Sequence, residues 1–169
     1  MSKESTGSVR AELDGFVGDK HRSYSRVAYE GESVPVGTTC RNSRQWSAVA
    51  VEELAKIQQA MELETPLTAE TLGANLCFSG LADFSRLPKG TELWFPSGAI
   101  LVVENYNPPC QDMSEKIART YTMIAGESPR RFAFAMAAKR LRGLVGVVEV
   151  AGEINAGDEV IVKVCDPQQ

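Results

Sequence analysis

Residues 91–110 read Thr91-Glu92-Leu93-Trp94-Phe95, Pro96-Ser97-Gly98, Ala99-Ile100-Leu101-Val102-Val103-Glu104 and Asn105-Tyr106-Asn107-Pro108-Pro109-Cys110. Two runs of strand formers separated by a three-residue loop containing glycine predict a β-hairpin. The second arm is an unbroken apolar run, which predicts a central strand buried on both faces. After Cys110 the period changes. Met113, Ile117, Tyr121 and Ile124 recur at helical steps, so a helix starts near Asp112 and is stopped by Gly126.

The flanking sequence extends this pattern. Val9, Glu12, Phe16 and Val17 lie in a first strand ended by Gly18-Asp19, and Arg26-Val27-Ala28-Tyr29 form a second. Gln45 to Ala50 favours a strand and runs into a helix from Val51 to Met61. There Leu54, Ile57, Gln58 and Met61 share a face, and Glu52/Lys56 is an i,i+4 opposite-charge pair. Leu72 to Phe78 reads as a strand. Ser128 and Pro129 have the residue types of an N-cap and first turn, predicting a helix through the Ala-rich stretch Phe132 to Leu141. Phe132, Phe134 and Met136 are its packing residues. Leu144 to Val150 and Glu159 to Val164 read as closing strands, joined by the connection 152–158. This gives roughly seven or eight strands and about three helices, with strands in neighbouring groups instead of alternating with helices. The expected fold class is mainly β (α+β), a mostly antiparallel β-barrel with peripheral helices. It is expected to be a single domain over residues 1–169, with its core at about 16–164.

Composition restricts function. The chain has 169 residues, of which 43% are hydrophobic and 24% charged, with a net charge of −4. Its pI is about 5.1. An acidic balance argues against gripping nucleic-acid phosphates, an affinity that comes mostly from Lys and Arg. No run approaches the roughly 18 apolar residues of a membrane helix. The polar start, 1–10, lacks the apolar stretch of a signal peptide, so the expected location is cytoplasmic. Five cations and no acid stand between Arg130 and Arg142. The remaining thirteen cations face twenty-two acids, a net −9. Such a segment is either a solvated helix face or a patch that attracts an anionic cofactor or partner.

Cys40, Cys77, Cys110 and Cys165 are separated by 37, 33 and 55 positions, and there is one His. No pair has zinc-knuckle or C-x-x-C spacing, so free thiols are expected. Cys110 has the most distinctive setting. Two prolines stiffen the loop before it, and a helix follows whose exposed amide end favours a thiolate. It is either that reactive thiol or a small apolar residue packed under the loop. Tyr106 and Asn107 either shape access to it or simply end the strand. The other three cysteines lack a comparable setting and read as structural.

The chain resembles the MOSC domain, the carboxyl-terminal part of molybdenum cofactor sulfurases. Gly18-Asp19-Lys20-His21 and Asn42-Ser43-Arg44-Gln45-Trp46-Ser47 are similar to its first landmarks. Leu67 to Leu76 resembles its pG-x-x-GEN stretch, and 87–103 its Gly-containing hairpin. Pro109-Cys110 matches its signature cysteine. Arg142 to Val148, with Gly152-Glu153-Ile154 and Gly157-Asp158, resembles its closing strands. In one respect the chain departs from the pattern: Ala74 stands where the family usually has Glu. No pyridoxal-phosphate-dependent desulfurase segment is visible, so a stand-alone MOSC protein is expected, unable to mobilise sulfur from cysteine by itself.

The resemblance implies binding of the molybdenum cofactor, with Cys110 as metal ligand or persulfide carrier. It implies either reduction of N-hydroxylated compounds or sulfur transfer; the alternative is a non-catalytic cofactor carrier. Lys20, His21, Arg44, Gln45, Asn75, Asn107 and Arg142 are the implied cofactor-binding residues. Each also has a plain structural reading: exposed cation, locally bonded histidine, strand edge or bulge. The implied partners are a small-molecule substrate and a separate electron-donor or sulfur-donor protein, with no nucleic acid and no membrane.

Overall fold

The computed structural model describes residues 6–165. In chain order its strands and helices are β1 (Ser8–Glu12), β2 (Gly15–Phe16), β3 (Ser25–Val27), β4 (Thr39–Arg41), β5 (Trp46–Ala50), α1 (Val51–Ala60), α2 (Ala69–Leu72) and β6 (Leu76–Phe78). They continue with β7 (Glu92–Trp94), β8 (Ile100–Tyr106), α3 (Gln111–Thr120), α4 (Ala133–Ala137), β9 (Leu144–Val150), β10 (Gly152–Asn155) and β11 (Ile161–Lys163). A 3₁₀ turn covers Phe84–Arg86. Among the described residues the fold is predominantly sheet, with mixed strand directions and four α-helices. The strands fall into sheets of three, six and two, none of which closes on itself. The mostly antiparallel barrel expected from the sequence is therefore corrected to open sheets, in which β5–β6 runs parallel while β1–β2, β1–β10, β3–β4, β7–β8 and β7–β11 are antiparallel.

By contacts the chain divides into two compact units. Among the described residues, one holds Ser47–Leu87 and Tyr106–Leu144, the other Thr6–Trp46, Pro88–Asn105 and 145–165.

In the first unit β5 pairs parallel with β6, Ala48 opposite Leu76 and Ala50 opposite Phe78. The parallel direction follows from the helical crossover between them, since a tight hairpin would have reversed the chain. The switch from strand to helix at Val51 occurs where the sequence indicates. The expected Glu52–Lys56 pair gives way to loop contacts: Gly80 N–H donates to Glu52 Oε1 at 2.6 Å, and Lys56 Nζ donates to Ala82 O at 3.2 Å. Leu54, Ile57, Met61, Leu63, Leu67, Leu72, Ile117 and Phe134 form one buried apolar cluster. Ala74 belongs to it, so the position where the family usually has an acid packs as a methyl group.

Three helical expectations need correction. The start of the expected strand 72–78 is the end of α2, which Gly73 terminates at φ 67. Helix α3 stops at Thr120, before Gly126, because Tyr121 turns extended and Ile124 N–H donates to Glu62 O at 2.8 Å. Helix α4 is one short stretch capped at Phe132, not at Ser128. Its Phe134 is buried, whereas Phe132 and Met136 are 51% and 78% exposed.

In the second unit β1 pairs with β10 and with β2, so the expected first strand is a tight hairpin turning at Leu13-Asp14. Strand β10 lies in what reads as a connection. Strands β11, β7, β8 and β9 neighbour one another in that order, and Trp94 faces Ile100 across the expected hairpin. Gly146 allows a close approach, since a Cβ there would lie 2.0 Å from Val102 O and 2.4 Å from Trp46 Cζ2.

Glu104, near the end of β8, accepts from Arg41 at 2.6 Å and lies 3.0 Å from Lys89 Nζ. Burial alone pushes its carboxyl upward. The two cations outweigh that and hold it below the usual carboxylate range. A depressed folded-state value adds stability above the unfolded value of about 4.3, and this is lost as pH falls through the folded one. Glu104→Gln is therefore expected to lower Tm at neutral pH and to flatten the acid-side decline below about pH 4. Thermal melts of both proteins from neutral to acid pH check this; parallel curves would contradict it.

Candidate functional site

Strand β8 delivers the chain to Asn107, which is buried and donates its backbone N–H to Gly143 O at 2.9 Å. Pro108 and Pro109 follow, with φ fixed by their rings. Cys110 is then the N-cap residue of α3, with extended backbone at φ −100 and ψ 164. Its side chain makes no capping bond, its thiol is exposed, and its carbonyl accepts from Ser114 N–H at 3.1 Å. The alternative of a sulfur packed under the loop is thereby removed. An exposed sulfur on a stiff segment, beside the amide end of a ten-residue helix, is placed to act as a nucleophile or soft ligand.

Tyr106 clamps this segment to the chain after α4. Its hydroxyl accepts from Arg140 N–H at 2.7 Å and donates to Ala138 O at 3.1 Å. From the cationic segment, Arg131 Nε reaches Glu115 Oε1 at 2.9 Å, and Gln111 Nε2 donates to the same oxygen at 3.0 Å. The basic stretch is thus tied both to Tyr106 before the thiol and to the first turns of α3 after it.

The remaining expected residues of this unit have visible structural work. Arg142 is buried and donates through Nη2 to Leu72 O at 2.9 Å, the last carbonyl of α2, where a cation is favoured. Lys116 bonds the preceding carbonyl, Thr71 O. Asn75 Oδ1 accepts from Ser47 N–H at 2.9 Å and Ser47 Oγ at 3.1 Å. With Asn75 N–H donating to Ser47 O at 2.8 Å, this extends the β5–β6 ladder by one residue. Asn75, Asn107, Cys110 and Arg142 thus occupy one unit, linked through α2, Gly143 and the end of β8.

Lys20, His21, Arg44 and Gln45 belong to the second unit. Lys20 and Arg44 are exposed. The His21 ring is exposed, with Nδ1 3.0 Å from Asp19 Oδ1. Gln45 is buried with both amide ends in use: Nε2 donates to Leu13 O at 3.1 Å and Oε1 accepts from Val148 N–H at 2.9 Å. Asn42 was missed by the sequence reading. Its Nδ2 bonds His21 O and Ser23 O while its Oδ1 accepts from Arg44 N–H, so one side chain shapes the loops carrying both cations. Its position two residues before Arg44, typical of an Asx turn, was the available signal.

All four cysteines are free. Cys77 is also exposed, yet partial desolvation and then Glu70 and Glu52 push its thiol above the ordinary range. Among the described residues no three His, Cys, Asp or Glu side chains gather to hold a metal ion. An open hollow lined by Ala55, Gln58, Gln59, Glu62, Leu63 and Ile124 contains none of the expected site residues.

The geometry describes a sheet-rich chain presenting one rigidly mounted cysteine at a strand-to-helix junction. A family model described as MOSC domain matches residues 24–161. A protein of Bacillus subtilis (strain 168), named "Putative metal-sulfur cluster biosynthesis proteins YuaD", is 37% identical over 153 residues, covering 88% of this chain and 76% of its own. A crystal structure of the YuaD protein from Bacillus subtilis matches with TM-score 0.88 and 32% identity, over 96% of this chain and 88% of that one. A crystal structure of a hypothetical protein shares the fold alone, with TM-score 0.57 and 15% identity, over 94% of this chain and 61% of that one. The chain belongs to the MOSC domain family. Among its described residues no helix is long and apolar enough to cross a membrane.

Proposed function

We propose that this protein engages the molybdenum cofactor through the thiolate of Cys110. The observation that carries this reading is the exposed Sγ on the Pro108-Pro109 segment at the start of α3. The donor set fits such a group. A bare ion in a closed protein site needs about four protein donors, and none of the required clusters is present among the described residues. A metal that arrives already held by an organic cofactor needs only one soft donor from the chain, and thiolate sulfur is that donor.

When bound, the group supplies a thiophilic metal centre that can change oxidation state. The chain supplies the rest. Cys110 offers the sulfur lone pair, and Asn107 and the two prolines hold that sulfur in place. On the second unit, Lys20, His21 and Arg44 carry charge and a ring nitrogen of the chemistry that suits a phosphate or a polar heterocycle. Asn75 and Arg142 brace the loops of the unit that holds Cys110, and Gln45 braces those of the second unit, through the bonds described above. The reaction that suits this arrangement is reduction of an N-hydroxylated small molecule. The N–O bond breaks, an electron pair from a separate donor protein and two protons are consumed, and water leaves.

The name of the Bacillus relative favours a second reading, in which Cys110 carries sulfur. Its thiolate attacks the outer sulfur of a donor persulfide, the donor S–S bond breaks, and the donor leaves as a thiol. Cys110 then holds the sulfane sulfur as a persulfide.

Protection of the thiol tests the main reading. Protein loaded with the cofactor is expected to alkylate at Cys110 at least roughly tenfold more slowly than unloaded protein, because a metal-bound thiolate is no longer a free nucleophile. Cys40 and Cys165 are expected to react at unchanged rates. Equal Cys110 rates in the two preparations would contradict it.

A further inference from the structure

Glu53 is fully buried on α1, an expensive place for a carboxylate unless its oxygens are bonded. Both are. Ser85, itself buried in the 3₁₀ turn, donates its N–H to Oε1 at 2.9 Å and its hydroxyl to Oε2 at 2.6 Å. The same hydroxyl oxygen accepts from Gly143 N–H at 2.7 Å, and Gly143 O accepts from Asn107 N–H at 2.9 Å. The relay thus runs Glu53, Ser85, Gly143, Asn107 and ends three residues before Cys110, all within one compact unit.

We propose that Glu53 is a positioning residue for Cys110, acting through Ser85 and the Gly143 peptide on the Asn107 anchor. This rests on Cys110 being the working thiol in the function proposed above.

Three features carry the inference. The serine hydroxyl has one proton, which it donates to Glu53 Oε2, and this leaves its oxygen to receive Gly143 N–H. Gly143 has no room to move towards β5, since a Cβ there would lie 1.9 Å from Ala48 O. Between Asn107 and Cys110 stand two residues with ring-fixed φ, so a displacement at the anchor passes to the sulfur. A carboxylate buried only for stability is a poor device, because apolar replacements of buried ion networks are often neutral or stabilising. Its bonds here all lead to the loop that mounts the thiol.

Ser85→Ala and Glu53→Gln test this without any cofactor, by amide exchange and by thiol alkylation of the folded chain. In Ser85→Ala, exchange of the Asn107 amide is expected to quicken roughly tenfold while the Ser114 and Ile117 amides of α3 keep their wild-type rates. The Cys110 alkylation rate is expected to change by roughly threefold or more, with Cys40 and Cys165 unchanged. Ser85→Thr, which keeps the hydroxyl, is expected to restore both. Wild-type values at Asn107 and Cys110 in Ser85→Ala would overturn the proposal. So would acceleration of all four thiols together, the mark of general loosening. Should Ser85→Ala fail to fold, Glu53→Gln gives the same readouts at nearly constant volume. Loss of the cofactor hypothesis would leave these outcomes intact, and their failure would leave cofactor binding untouched.

Discussion

Gly143→Ala is expected to lower folding stability by roughly 3–5 kcal/mol, a large share of the about 5–15 kcal/mol typical of a domain. Two independent costs add. The residue sits at φ 95, where a side chain is strained. Its Cβ would also lie 1.9 Å from Ala48 O and 3.0 Å from Ala48 C, backbone atoms of β5 that cannot rotate away. Relieving the clash means displacing Gly143, whose N–H and C=O hold Ser85 and Asn107. The substitution therefore damages the mounting of Cys110 along with the core. Urea unfolding of both proteins measures it. A loss under about 1 kcal/mol would mean that the strand and loop separate easily, and that the anchor is softer than described. Gly157→Ala, where no atom lies within 4 Å of the new methyl, pays only the conformational cost of φ 89 and is the matched control.

Local chemistry made much of this chain legible. The β7–β8 hairpin follows from its three-residue loop, the change from β5 to α1 from the switch of period at Val51, and the start of α3 from the residues after Pro109. Features set by distant pairing did not show. Strand β10 is a strand because Arg10 and Glu153 lie opposite each other, while its own glycine and asparagine read as a turn. Helix α3 ends early because Tyr121 reaches Thr71 Oγ1 at 3.0 Å and Leu63 bridges Met123. Helical periodicity through Ile124 carries no trace of either contact, and Ile124 is 75% exposed.

The site divides in the same way. Cys110 stands out from its neighbours alone. Arg142, Asn75 and Gln45 were singled out for a ligand, and their visible bonds go to carbonyls and amides of the chain itself, which spacing cannot reveal. Glu53 left a faint signal: it lies one helical step from Ile57, on the buried face of α1, where an acid is out of place. Of Phe132, Phe134 and Met136, read as packing residues, only Phe134 turns inward, joined there by Ala138.

Replacing the sulfur itself is expected to have the largest functional effect. Cys110→Ser changes one exposed atom, breaks no hydrogen bond made by the side chain, and leaves the N-cap position of α3 with a residue that favours it. Stability is therefore expected to stay within about 0.5 kcal/mol of wild type, or to rise slightly. An alcohol is a far weaker ligand for a thiophilic metal than a thiolate, so binding is expected to collapse while the fold persists.

Molybdenum per folded chain, measured side by side for wild type and Cys110→Ser purified from cells that make the cofactor, tests this most directly. Wild type is expected to retain the metal near one per chain and the variant less than roughly a tenth of that. Equal content in the two proteins, or none in the wild type, would contradict the assignment of Cys110 as the ligand.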